Sequence, residues 1–366
     1  MDGAKSSIIL IGTGSAGCAM ARGVRRSFGE GLRYLLTDTD AQSGTGDGTF
    51  VLLGGDRLSG RGAGGDMVAA RLAAEESVGA LDEHLNDVRL AVIVTGLGGG
   101  TGSGVTVEIA RHLAGLGIRV IVFATIPFAF EGDERLRTAR GVMKLTEEAA
   151  NATFFLPLDK LVAGEDNMTM AMQRAVDTVA SGVTLFWRFV EKPGYINIDV
   201  EHICQIVGNA GRGRFATVTV QGNDRATEAA DLLVRSELLA AATAPVREML
   251  CGVLAGEDLR LSEIATVTNG IRSAFGENLA FTLGTVNDEA TFCGRMSVVV
   301  MLFEGGSGTA EESQGKPRRQ PHSRARNPLV SGAGAHGRFS NAESTEWHGE
   351  NLDIPTFLRR NISLDF

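Results

Sequence analysis

The sequence is poor in the features that mark several large classes of protein. It holds only four cysteines, Cys18, Cys204, Cys251 and Cys293, and no two form a CxxC pair. That spacing gives no zinc module and implies no disulfide framework, as expected of a chain kept in a reducing compartment. A basic excess is also missing, since 35 Lys and Arg stand against 44 Asp and Glu for a net charge of −9. A general nucleic-acid binder needs a cationic face for phosphates, so no nucleic-acid partner is expected. No apolar run reaches the roughly 18 residues of a spanning helix, so direct membrane insertion is not expected. The opening MDGAKSSIILIGTG has a short apolar run without the layout of a secretory signal. The G-x-x-x-x-G-K-[ST] pattern is absent, which excludes a P-loop nucleotidase.

What the chain does have is 43% hydrophobic residues, enough for a large core. Over residues 1–165, apolar β-branched runs (SSIILIG, LRYLLTD, RLAVIVTG, RVIVFATIP, ATFFLPL) alternate with helical patterns. The helical patterns are SAGCAMARGVRRSF, GDMVAARLAAEESVGALDEHL, VTVEIARHLAGLG and GDERLRTARGVMKLTEEAA. Near-continuous apolar strands between helices predict a Rossmann-like parallel sheet covered on both faces. A central helix is expected over 166–192, ended by KPG. Residues 193–305 read as a second, mixed α/β domain, with strands RFATVTVQG, AFTLGTVN and RMSVVVMLFEG and helices DRATEAADLLVRSELLAA and LSEIATVTNGIRSAF. Residues 306–349 are Gly, Ser, Arg, Asn and Pro with almost no periodicity, so a disordered linker is expected. Residues 350–366, NLDIPTFLRRNISLDF from Asn351 onward, turn apolar, aromatic and basic again, the pattern of a docking peptide on a tether.

Three glycine loops carry the chemistry. GTGSAG places Gly12, Gly14 and Gly17 between a strand and a helix, where bare backbone amides and a helix dipole meet phosphate oxygens. Asp38 follows at the distance where a dinucleotide enzyme holds a ribose, so this loop alone is compatible with an NAD(P)-dependent oxidoreductase. That reading identifies no hydride-site residues and leaves two further loops unexplained. GRGAGGD, with Gly62, Ala63 and Gly64, precedes a helix. GLGGGTGSG, residues 96–104, holds six glycines, where a tight turn needs one or two and each extra one costs chain entropy. Three such loops at the ends of parallel strands can surround one polyphosphate.

GGGTGSG resembles the signature of the tubulin and FtsZ superfamily. LTDTDAQ, GRGAGGD, TIPFAFEGDERLR and GYINID are similar, in order, to further loops of bacterial FtsZ, and LDIPTFLRR resembles the FtsZ C-terminal docking peptide. The resemblance covers about residues 5–304 and the tail peptide, and implies a tubulin/FtsZ-like α/β fold. It implies GTP or GDP bound by Gly12, Gly14, Ser15, Ala16, Gly17, Cys18, Ala19 and Asp38. To these it adds Gly62, Ala63, Gly64, Gly98, Gly99, Gly100, Thr101 and Gly102, with Mg²⁺ held mainly by the phosphates and water. Glu131 and Arg135 match the ribose and base-side pair, and Asp177 falls where Asp or Asn faces guanine, with Val176 the alternative by one residue. Ile354, Pro355, Phe357, Leu358 and Arg359 would dock on a membrane-anchor division protein such as an FtsA-like protein. The implied protein is cytoplasmic. It polymerises with itself into filaments of the division ring, on the inner face of the membrane.

The departures matter as much. Cys18-Ala19 replaces a usual Gly-Asn, Ser15 and Ala16 replace usual glycines, and Leu158 stands where an Asn approaches the nucleoside. The family's N-x-D-x-x-D, which completes the neighbouring subunit's active site, reads here Asn197, Asp199, His202. A neutral imidazole still accepts a hydrogen bond, so slow assembly-dependent GTP hydrolysis is expected, with a non-hydrolysing scaffold as the alternative.

Overall fold

The computed structural model describes residues 6–305, apart from 47, 163–166, 193, 209, 241–244 and 277–278, together with 346–347 and 350–351. The apolar runs of the first half form six parallel strands: β1 (Ile8–Thr13), β2 (Tyr34–Asp38), β3 (Thr49–Leu52), β4 (Leu90–Gly96), β5 (Arg119–Ile126) and β6 (Ala152–Pro157). Their order is β3-β2-β1-β4-β5-β6, so the chain reverses direction across the sheet between β1 and β4. Open parallel sheets bind ligands in the crevice outside the strands' carboxyl ends at such a switch point.

The sheet does not stop there. β7 (Gly211–Gln221) joins β6 through a short parallel ladder, Ala152–Phe154 on Gly211–Gly213. β8 (Glu248–Ala255), β9 (Ala280–Asn287) and β10 (Arg295–Phe303) complete one ten-stranded sheet in the order β6-β7-β10-β8-β9. β10 runs antiparallel to both β7 and β8, whereas β8 and β9 are parallel.

Helices cover both faces. Their ranges are α1 (Gly14–Phe28), α2 (Gly55–Leu58), α3 (Met67–Ser77), α4 (Gly100–Gly115), α5 (Asp133–Ala149), α6 (Met168–Glu191), α7 (Val200–Val207), α8 (Arg225–Val234), α9 (Glu237–Ala240), α10 (Leu261–Phe275) and α11 (Glu289–Phe292). α1, α6 and α7 bury their apolar stripes in one core with Phe123, Phe154, Phe215 and Phe303. Phe123 stacks on Phe154 at 5.0 Å and meets Phe215 edge-on at 4.8 Å, so the aromatic core bridges the two halves of the sheet. α3, α4 and α5 pack in a second core on the opposite face. α8 and α10 cover β7, β8 and β10 in a third.

The long helix expected from Gly65 to Leu85 is divided. α3 ends at Ser77, and Val78–His84 continues as a 3-10 segment around Gly79. DRATEAADLLVRSELLAA likewise splits into α8 and the single turn α9. Separately, Glu346–Trp347 pairs antiparallel with Glu350–Asn351, a ladder that straddles the expected linker–peptide boundary. The rest of the expected linker, and the docking residues Ile354, Pro355, Phe357, Leu358 and Arg359, lie outside the described residues.

One buried ion cluster sets a pH limit on the second half. The Arg225 guanidinium, 4% exposed, bonds Glu263 at 2.7 and 3.0 Å and Asp258 at 2.8 Å. The bond from Arg225 holds the Glu263 carboxyl below its ordinary value, against the opposing effect of burial. A depressed folded value means that this stabilisation is present above the ordinary carboxylate value near about 4.3 and is lost as pH falls through the folded one. Urea midpoints should therefore drop more steeply below about pH 4 in the wild type than in Glu263→Gln. Parallel pH profiles would refute the linkage.

Candidate nucleotide site

The three glycine loops meet at the switch point. β1 passes into α1 at Gly14, whose φ of +72° is one that side chains rarely adopt. A Cβ on Gly14 would lie 3.1 Å from the Gly102 nitrogen, so the first loop rests on the signature loop. A Cβ on Gly102 would collide with the Gly96 carbonyl, so the α4 start must be glycine to turn this tightly. A Cβ on Gly100 would fall 2.9 Å from Gly65 and 3.1 Å from the Ala63 side chain, which brings the third loop onto the α4 N-terminus. The Thr101 hydroxyl, 2.6 Å from that of Thr39, clasps α4 to the loop after β2.

The helix ends differ in a telling way. α3, α6, α7 and α11 are capped by the side chains of Asp66, Asn167, Asp199 and Asp288. α1 and α4 begin with Thr13 and Gly99, without a capping side-chain bond and without an acid in the first turn. Among the described α-helices these two alone lack both, and they converge on one crevice. Each leaves first-turn N–H groups without intrahelical acceptors and about half a positive charge at its end. That arrangement suits a polyphosphate.

The side chains expected at the site fall into distinct roles. Ser15 and Ala16 are exposed, Ala19 is half-buried, and Cys18 is turned into the core. The Cys18 thiol is 3.6 Å from the Gly12 and Thr37 carbonyls, and burial, then the Asp38 charge, pushes its pKa up to about 12. It is a neutral packing group. Asp38 is 1% exposed, and its carboxylate accepts the Ser15 and Ser43 hydroxyls at 3.2 and 2.6 Å and the Thr39 N–H at 2.7 Å. It braces the loops, and this occupation removes the basis of the oxidoreductase alternative. Gly62 and Ala63 are half-buried and Gly64 exposed on the covering loop, while Gly98 and Gly99 lead into α4, with the Gly98 N–H donated to Ser103.

Farther along the crevice, Glu131 accepts the Phe128 N–H at 3.0 Å and pairs with Arg135. A Cβ on Gly98 would sit 3.0 Å from the Arg135 carbonyl, so this pair borders the signature loop. Leu158 is buried with Phe128, Ala171 and Ala175. On α6, Val176 packs against the core, whereas Asp177 is exposed and accepts a bond from Gln173 at 2.9 Å.

Asn197, Asp199 and His202 are not near these loops. α6, 24 residues long, starts after Leu158 at the carboxyl end of the sheet and ends at Glu191, which is bonded by Ser6 just ahead of β1. It spans about 36 Å. The loop after it is pinned on β9 by Ile196 and Thr285, which exchange bonds of 2.9 and 2.8 Å. Asp199 caps α7 by accepting the His202 N–H at 2.7 Å, and both residues are exposed. Arg89, just before β4, pairs with Glu201 at 2.5 Å, which confirms that α7 lies at the amino ends of the strands. Sequence reasoning missed Glu248, the neighbour whose carboxyl is raised by burial and lowered in part by His202. Nothing in the sequence between His202 and Glu248 offers a local signal for that approach, because it arises from the long-range placement of β8.

The comparisons agree with this geometry. The Tubulin/FtsZ family GTPase-domain model matches residues 7–164, and the FtsZ family C-terminal-domain model matches residues 211–304. The cell division protein FtsZ of Azotobacter vinelandii is 31% identical over 291 residues, covering 78% of this chain and 74% of that protein. The chain belongs to the FtsZ family. FtsZ of Pseudomonas putida is 29% identical over 386 residues, with 96% of each chain covered. An empty FtsZ dimer from M. jannaschii superposes with a TM-score of 0.76 at 25% identity, covering 82% of this chain and 89% of that one. The tubulin/FtsZ fold expected from the loops is therefore the fold observed, and this FtsZ-family chain carries a tubulin-like GTPase domain.

Proposed function

We propose that this FtsZ-family chain binds GTP across the β1–β4 switch point and assembles head to tail into filaments of the bacterial division ring. The observation that carries this reading is the meeting of two uncapped helix N-termini under three glycine loops. Gly14, Ser15, Ala16, Gly99, Gly100, Thr101 and Gly102 face the phosphates, while Gly12 and Gly17 let α1 pack closely on β1 and β4. Glu131 and Arg135 lie toward the ribose, and Asp177 toward the guanine N1 and N2 protons. Mg²⁺ is held mainly by phosphate oxygens and water, as this cation commonly is.

A loop at the opposite end of α6 from its own crevice is placed to serve another copy. In a heterologous filament, Asn197, Asp199 and His202 of one subunit meet the nucleotide of the next. Hydrolysis is then assembly-dependent, and slow, because His202 contributes no negative charge beside the attacking water. The exposed Tyr195 and Ile196 flank this loop and supply apolar area for the contact. Sedimentation with GTP, GDP and ATP, coupled to phosphate release, tests the whole reading. Pelleting that ignores the nucleotide, or equal retention of ATP and GTP, would overturn it.

The C-terminal peptide docks on a membrane-anchor protein of the FtsA-like kind. Ile354, Phe357 and Leu358 supply apolar contacts, Arg359 and Arg360 charge, and Pro355 limits where a helix can begin. This places the filament in the cytoplasm at the inner face of the division site. No described helix is long and apolar enough to cross a membrane. Deleting residues 350–366 should leave pelleting with GTP unchanged and abolish midcell fluorescence of a tagged chain. Unaltered localisation of the truncated chain would refute the docking role.

A further inference from the structure

We infer that the cleft walled by α5, β6, β7 and α9 is a second binding site, and that it takes a small organic anion: a phosphate or carboxylate group on an apolar body. The inference does not depend on the nucleotide reading of the crevice. The cleft exists because β6 and β7 part company. Their ladder covers only Ala152–Phe154 and Gly211–Gly213, and β6 runs on through Phe155, Leu156 and Pro157 with no partner on β7. Past the ladder the strands leave a gap of about 290 Å³, near the lower limit of ligand pockets, which restricts the occupant to a small molecule.

Each half of the sheet supplies a wall. Ile126, Met143 and Phe155 line one side and are backed by the core of α3, α4 and α5. Leu238 lines the other and is backed by the core under α8 and α10. Pro157 and Gly213 lie between them. The apolar lining is therefore held in place by packing on both sides.

What distinguishes the cleft is its charge. Arg140 of α5, Lys160 after β6, and Arg212 and Arg214 of β7 line it, against one acid, Glu237. Arg214 is a structural cation: it is buried, pairs with Glu304 at 3.2 Å and donates to the Leu239 carbonyl. The other three are held loosely. The Arg212 guanidinium lies over the Phe155 ring at 5.5 Å and reaches Glu147 only at 3.9 Å. Burial pushes the Glu147 carboxyl above its ordinary value, and Arg212 opposes this only in part, so that carboxyl is a weak counter-ion. Lys160 stands 3.6 Å from Glu237, whose side chain is 77% exposed, and an exposed pair of this kind contributes little. Arg140 is exposed and makes no side-chain bond or ion pair among the described residues. An anion among these three gains charge-assisted bonds without displacing a strong internal pair, while its body meets Phe155, Met143 and Leu238. Inorganic phosphate would leave the apolar walls wet, and a neutral arene would leave the cations unpaired.

The test is calorimetric titration of the full chain with phenyl phosphate, benzoate, inorganic phosphate and benzyl alcohol, with and without excess GDP. Phenyl phosphate and benzoate should both bind, the stronger naming the head group. Inorganic phosphate and benzyl alcohol should bind at least about tenfold more weakly. Arg212→Gln should weaken phenyl phosphate by about tenfold or more, and Lys160→Gln and Arg140→Gln by about threefold each. Lys160 and Arg140 are exposed, so these two variants keep the fold whatever becomes of Arg212→Gln, and Arg212→Lys should recover part of the loss. Inorganic phosphate binding as tightly as phenyl phosphate, or titrations unmoved by all three Gln variants, would overturn the assignment. So would tighter binding of a tetraglutamate peptide, which marks an open charged surface. Loss of the phenyl phosphate signal in excess GDP would place the probe in the nucleotide crevice and overturn it as well.

Discussion

Thr101→Arg should abolish GTP binding while leaving the fold intact. Thr101 occupies the first turn of α4, half-exposed to the crevice, with its hydroxyl 2.6 Å from that of Thr39. Arginine removes that clasp and puts a long side chain where, in the proposed complex, phosphate approaches bare backbone. Overfilling a packed site costs about 1–3 kcal/mol, and a lost hydrogen bond about 1 more. Together they predict an affinity weaker by about a hundredfold or more. Thr101→Ser keeps the hydroxyl and should bind within about threefold of the wild type. Circular dichroism and the urea midpoint separate binding from folding, since the substituted side chain can extend into the crevice without entering the core. Undiminished binding of GTP by Thr101→Arg would mean that the α4 N-terminus is not the phosphate site.

The glycine loops were legible because their physics is local. A strand, a glycine turn and a helix start are read from about fifteen consecutive residues, and each loop is where the spacing puts it. The strands of the parallel half were legible for the same reason, being continuous apolar runs. β3 and β8 were not. TFVL is a four-residue edge strand with one exposed and three half-buried residues, and EMLCGVLA is a buried run that periodicity cannot tell from helix. The join of β6 to β7 was invisible as well, because the change in pattern near residue 193 looks like a domain boundary and a three-residue ladder leaves no mark in either segment.

Asp38 shows the opposite failure. Its distance from GTGSAG fits a ribose ligand, yet three hydroxyl and amide donors from Ser15, Ser43 and Thr39 occupy its carboxylate inside the fold. Spacing finds a residue at the right strand end, and only the surrounding donors decide whether its charge faces outward. The lack of acids in the first turns of α1 and α4 was present in the sequence and could have been used. The missing caps were not, because Thr13 and Gly99 are both residue types that cap helices well, and only the structure shows that no side chain bonds these ends.

Restoring a carboxylate at position 202 should raise GTP turnover per polymerised subunit, and the structure shows how to separate that effect from helix capping. Asp199 has two duties. Its carboxylate caps α7 through the His202 N–H, and its charge is what the loop would present to a neighbour's nucleotide. Asp199→Ala removes both, and loss of a cap costs about 1 kcal/mol, so a fall in activity would be ambiguous. Asn caps as well as Asp does. Asp199→Asn therefore removes the charge alone and should lower phosphate release by about a hundredfold, with GTP affinity unchanged because the loop lies at the opposite end of the strands from its own crevice. His202→Asp keeps the backbone N–H that Asp199 accepts and adds negative charge one helical turn away, beside the attacking water. Turnover should rise by about tenfold or more at equal polymer mass. The gain should appear only above the assembly concentration, as expected of a residue proposed to act on another subunit. Equal turnover in His202→Asp and wild type, with Asp199→Asn inactive, would show that position 202 takes no part in hydrolysis. Wild-type polymer that releases no phosphate, and gains none from His202→Asp, would make the chain a nucleotide-gated scaffold.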